Sequence, residues 1–105
     1  MGLKRPAGEE LRKIVNFVNF ASSATVGDIV SRPWAGIDCS GERHRLELVF
    51  AGPGARAAAD AFLDGLEERE FPLRGHILID IACVADTRGG DGVRLTLEAL
   101  SVEEN

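Results

Sequence analysis

The stretch nearest to a cofactor motif is Gly52-Pro53-Gly54, which follows an apolar run ending at Phe50 and stands three residues before Ala57. Its pattern, G-x-G-x-x-A, is the spacing of a turn whose backbone approaches a pyrophosphate at a helix N-terminus. Such a site also needs a parallel sheet around it and an acidic residue about 20 positions on. Here Pro53 withdraws one N–H donor, and the next strand pattern belongs to an antiparallel hairpin. The turn is therefore expected to reverse the chain between a strand and a helix, and no nucleotide or other cofactor is expected.

Four further residues carry metal-ligand chemistry: Cys39, Cys83, His44 and His76. None of their spacings is the C-x₂-C or H-x₃-H of a structural zinc site, so no metal is expected. The two cysteines fit free buried thiols in a reducing compartment. No serine, cysteine or lysine stands in a nucleophile motif, and two histidines are a thin supply of general bases.

Asp80 is more informative, because it interrupts the apolar stretch "HILIDIACV" (76–84). A carboxylate there belongs on the solvent side of a half-buried strand. With His76 it is the one candidate acid–base pair for an enzyme. Arg45 and Arg94, on two other strands, are candidates to hold a small anion.

The elements that position these residues follow from periodicity. Leu11, Ile14, Val15, Val18 and Ala21 recur at helical spacing over 9–21, with Glu9 and Glu10 suited to the first turn. Ala55, Ala58 or Ala59, Phe62 and Leu66 form the matching stripe over 53–67. Period-2 alternation marks strands at 43–50, 76–86 and 92–100, with a weaker fourth near 27–38, where Pro33 suits an edge. Turns are expected at Ser40-Gly41 and at Gly89-Gly90.

Alternation places Leu46, Leu48 and Phe50 on the core face, together with Ile77, Ile79, Ile81 and Cys83 and with Val93, Leu95, Leu97 and Ala99. The outer face is then expected to carry Arg43, Arg45, Glu47, His76, Leu78, Asp80, Ala82, Val84, Arg94 and Glu98.

A shift of 49 residues aligns Arg45-Leu46-Glu47-Leu48 with Arg94-Leu95-Thr96-Leu97, so 1–52 and 53–105 each read helix, strand, turn, strand and suggest an internal duplication. The expected fold is a single α+β domain, a two-layer sandwich of order αββαββ. Its four-stranded sheet carries two helices on one face, a circular permutation of the ferredoxin-like plan, with 43–50 and 92–100 central.

Composition narrows the partners. The chain has 105 residues and a net charge of −5. Residues 1–52 carry seven Lys/Arg against six Asp/Glu, and 53–105 carry five against eleven. An acidic chain with no Tyr, one Trp and five Phe is poorly suited to nucleic acid. The apolar runs are too short to span a membrane, and "MGLKRPAGEE" lacks a signal sequence, so a cytoplasmic setting is expected.

The residue pattern thus defines a build more than an activity. An apolar edge strand with Leu78, Ala82 and Val84 on an open face invites a partner, most economically a second copy. The expected function is a non-catalytic interaction domain, a homo-oligomer (a dimer) joined through its outer sheet face or strand 76–86. The alternatives are an anion-binding domain using Arg45 and Arg94, with Asp80, Glu98 and His76 nearby, and a small enzyme using Asp80 and His76.

Overall fold

A computed structural model describes residues 7–18, 24–73, 75–90 and 92–103. In chain order these form α1 (Ala7–Val18), β1 (Thr25–Ala35), β2 (Ser40–Ala51), α2 (Ala55–Leu63), β3 (His76–Gly89) and β4 (Gly92–Glu103). The strands make one antiparallel sheet in the order β1-β2-β4-β3. The predicted continuation of the first helix through 19–21, and the side chains of Ile14 and Val18, lie outside the described residues.

The central pair is where alternation is cleanest. Leu46, Leu48 and Phe50 of β2 stand opposite Leu97, Leu95 and Val93 of β4, and all six are buried. On the other face of β2, Arg43, Arg45 and Glu47 are exposed. Leu11 and Val15 of α1 and Ala55, Ala59 and Phe62 of α2 join these strands in one core. The Phe50 and Phe62 rings meet tilted, with centroids 6.4 Å apart. Burial of such side chains, worth ~1.5–3 kcal/mol each, is the main force holding helices to sheet.

Polar contacts tie each helix to the sheet. β1 has a bulge between Val26 and Ile29, and Arg12 of α1 donates to the carbonyls of Gly27 (3.0 Å) and Val26 (3.3 Å) at that irregularity. Arg88 of β3 donates to Asp60 of α2 at 2.7 Å and to Asp86 at 2.9 Å. Its guanidinium holds the Asp86 carboxyl below the usual range.

The glycine turn is explained by backbone geometry. Gly52 and Gly54 have φ of 83° and 85°, in the left-handed region where side chains are strained. Gly54 caps α2, which ends at Leu63, earlier than the predicted 67. Beyond it the chain extends at Asp64, turns at Gly65 and forms a 3₁₀ turn over Leu66–Glu68.

The first hairpin also differs from expectation. Its loop is 36–39, closed by the Gly36 N–H donating to the Cys39 carbonyl at 2.7 Å, and Ser40-Gly41 lies inside β2. Gly41 is there because a Cβ would collide with the Ser101 carbonyl on β4. Pro33 sits on the edge strand opposite Glu42, where its missing N–H costs the sheet nothing.

The largest correction concerns β3. Its register slips between Leu78 and Asp80, and again between Cys83 and Ala85. The extra residue at Ile79 reverses the phase. Leu78 turns inward and packs against the core, while Ile77 and Ile79 are 53% and 55% exposed. Ile81 and Cys83 keep the core face, as alternation predicts. His76 shares the face of Leu78, opposite Glu103, so it leaves the outer face too. Cys39 is exposed in its loop, not buried.

Two substitutions test this packing by chemical denaturation. Leu48→Ala should cost ~2–5 kcal/mol, and a loss under about 1 kcal/mol would contradict the burial of that face. Gly41→Ala should cost at least ~1–3 kcal/mol, because the β2 and β4 backbones must separate to admit one methyl group.

Candidate functional site

The face of the sheet opposite the core holds a concave site of about 510 Å³, lined by Val30, Arg32, Arg43, Arg45, Asp80, Ala82, Val84, Glu98 and Leu100. Strand register arranges these side chains in rows across β1, β2, β4 and β3. One row runs Val30, Arg45, Glu98, Ala82; the next runs Arg32, Arg43, Leu100, Asp80. A third runs Trp34, Gly41, Val102, Ile77. Guanidiniums therefore gather on β1 and β2, and carboxylates on β4 and β3.

The charges are incompletely matched. Arg45 donates to Glu98 at 3.2 Å, an exposed pair of the kind worth ~0–1 kcal/mol. Arg32 and Arg43 stand directly opposite each other, an arrangement that costs stability, and neither has an ion pair among the described residues. Apolar side chains share the same face: Val30 is 57% and Val84 50% exposed.

Five of the residues predicted from sequence converge in this site: Arg45, Asp80, Glu98, Ala82 and Val84. Three do not. Arg94 lies two rows away, its Nε 3.9 Å from Glu47. Leu78 faces the core. His76 lines a different cleft at the end of the sheet with Trp34, Glu42 and Glu103, so it does not share the hollow with Asp80. Arg32 and Arg43 belong to the site although sequence alone did not single them out as ligands. The missing signal was their cross-strand pairing, which depends on the true position of the hairpin loop.

Sequence reasoning also missed a buried polar chain on the core face. His44 is 2% exposed and lies between Ser31 of β1 and Ser101 of β4, at 2.7 Å and 2.8 Å. The Ser101 hydroxyl donates to the Glu42 carbonyl, a long contact of 3.5 Å. That assigns His44 Nε2–H as donor to Ser101 and leaves Nδ1 to accept from Ser31. Gly8 of α1 closes over the chain, since a Cβ there would press on the Ser31 hydroxyl. Every member is satisfied while the imidazole is neutral.

Cys83 is not poised for reaction. Its thiol donates to the Ala85 carbonyl at 3.2 Å, and burial pushes its pKa up. Among the described residues, no group of three or more His, Cys, Asp or Glu could hold a metal ion. Nor is any described helix long and apolar enough to cross a membrane.

The class of protein these features define is a small α+β domain with a charge-divided, partly apolar sheet face. Comparison with protein-family models, with curated proteins and with solved structures finds no match, so function must be read from this geometry.

His44 gives the fold a pH dependence of determinate sign. Burial lowers its pKa most; Glu42 opposes this and His76 adds to it. The folded state then binds fewer protons than the unfolded chain, whose histidine titrates near ~6.5. The stability from a neutral His44 is full above that pH and is lost as pH falls below it. The melting temperature should drop between pH 7.5 and 5.5, and His44→Gln should flatten that drop. An unchanged slope in the variant would place the titration elsewhere.

Proposed function

We propose that this chain is a non-catalytic assembly domain, working in a cytoplasmic setting as a homodimer joined through the outer face of its sheet. The observation that carries this reading is the register of the rows. A two-fold axis parallel to the strands and between β2 and β4 reverses each row onto itself. Arg32 then faces Asp80 of the second copy, Arg45 faces its Glu98, Val30 its Ala82, and Trp34 its Ile77. In these four pairs unlike charges meet and apolar groups meet apolar groups; the exception is Arg43, which falls over Leu100.

Pairing through the edge is less well supported. β3 carries two bulges, and β1 carries one together with Pro33, devices that discourage edge-to-edge pairing. The face is of a size that suits the low end of specific interfaces, which bury ~1,200 Å² in total. Four strands ~4.8 Å apart and about ten residues long at ~3.3 Å offer roughly 600 Å² in projection. A standard interface takes ~800 Å² of accessible surface from each partner.

In this reading the order αββαββ is a circular permutation of the ferredoxin-like plan, with both helices on the core side. Aligned packing of two such sheets, about 10 Å apart, is an ordinary sandwich geometry. The enzyme reading draws no support from the separate clefts of Asp80 and His76.

Light scattering or sedimentation at tens of micromolar should report a dimer of the 11.3 kDa chain. Arg32→Asp should weaken association at least tenfold, or ~1.4 kcal/mol. Adding Asp80→Arg should recover most of the loss, as a reciprocal charge exchange does when two residues meet. A monomer at all concentrations defeats the proposal, and a dimer indifferent to both substitutions would locate the contact on another surface.

A further inference from the structure

Within that dimer, Arg32 and Arg45 each meet a carboxylate, and Arg43 does not. Its row places it over Leu100 of the second copy. Because β2 adjoins the two-fold axis, the two copies of Arg43 flank that axis. One strand spacing of ~4.8 Å and a sheet separation of ~10 Å put their Cα atoms roughly 11 Å apart. The side chains therefore reach the same small volume, which the 510 Å³ hollow on each face leaves open.

Two guanidiniums with no counter-charge, taken out of water between packed sheets, are costly to bury. Arg32, opposite Arg43 in the same chain, is matched by Asp80 of the second copy, so this row keeps one positive charge in excess per copy.

We infer that the dimer binds one small dianion on its two-fold axis, held by Arg43 from both copies. The inference rests on the homodimer reading and adds a ligand to it. The ligand is an oxyanion of the phosphate class, because guanidinium forks pair in two parallel bonds with such oxygens and a charge of −2 balances two arginines. Leu100, with Val30 and Val84 nearby, provides apolar surface beside the anion. Asp80 of the second copy lies over Arg32, one strand from Arg43, and is occupied by that pairing. An oxyanion charged at one end, with a compact apolar substituent at the other, fits best.

The site also differs from the one sequence reasoning suggests. Arg94, one of the two arginines expected to hold an anion, stands in another row beside Glu47. Arg43 takes its place, and binding becomes a property of the pair of chains instead of the single chain.

The test measures dimer dissociation by sedimentation in inorganic phosphate against sodium chloride of equal ionic strength. Phosphate should tighten the dimer roughly tenfold, within the usual range of coupling between linked equilibria, and calorimetry should count one phosphate per dimer. Arg43→Gln should still dimerise and lose the phosphate response. Three outcomes overturn the inference: a dimer whose dissociation ignores phosphate, an Arg43→Gln dimer that responds as the parent does, or two phosphates per dimer. A monomer under every condition would instead remove the homodimer, and the axial site with it.

Discussion

Covering one face of a four-stranded sheet is the constraint on which the rest of this molecule depends. Each strand presents two rows of side chains, and the buried one here is filled by Leu46, Leu48, Phe50, Val93, Leu95 and Leu97 against α1 and α2. The apolar residues needed for that core occupy alternate positions of β2 and β4. The intervening positions are consequently left to Arg43, Arg45, Glu47, Arg94 and Glu98. The charged face is thus the other half of the same alternation. Its side chains are held in rows by the ladder that aligns the core, so a rigid scaffold sets their spacing.

Much of this was legible in the residues. The helical stripe of Leu11 and Val15 and the alternation of β2 and β4 are strong, because misplacing either would expose several large apolar groups at once. β3 was less legible for an opposite reason. Ile77, Leu78 and Ile79 are all apolar, so either phase satisfies the pattern, and nothing marks the inserted residue that turns Leu78 inward and Ile77 outward. The 36–39 loop was displaced in the same way. Ser40-Gly41 resembles a turn, but Gly41 serves close contact between two backbones.

The site divides along similar lines. Arg45, Asp80, Ala82, Val84 and Glu98 could be assigned to one face by counting in twos. Arg32 could not, because its register depends on a hairpin loop that sequence misplaced. His44 is the clearest omission. Its position between Leu46 and Glu42 reads as an ordinary inward residue, and its two serine partners come from strands 13 residues before it and 57 after it. A buried imidazole acquires its character from contacts that no local window contains.

The joining of β2 to β4 also bears on how the chain reaches this state. The β1–β2 and β3–β4 ladders each close a short loop, whereas the central ladder matches Gly41 with Val102 and Ala51 with Gly92, pairing residues far apart in the chain. Local hairpins form in roughly 1–10 μs, and distant strands find one another more slowly because a long loop must be closed before any contact repays it. The two hairpin ladders are thus the local contacts of this sheet, and the joining of β2 to β4 is its non-local one, the kind of pairing that topology makes slow. Until they join, the inner edges of β2 and β4 are the exposed ones, and they lack the bulges and the proline that guard β1 and β3. The chain is therefore most exposed to mispairing with its neighbours while it folds, at the strands that the finished structure protects best.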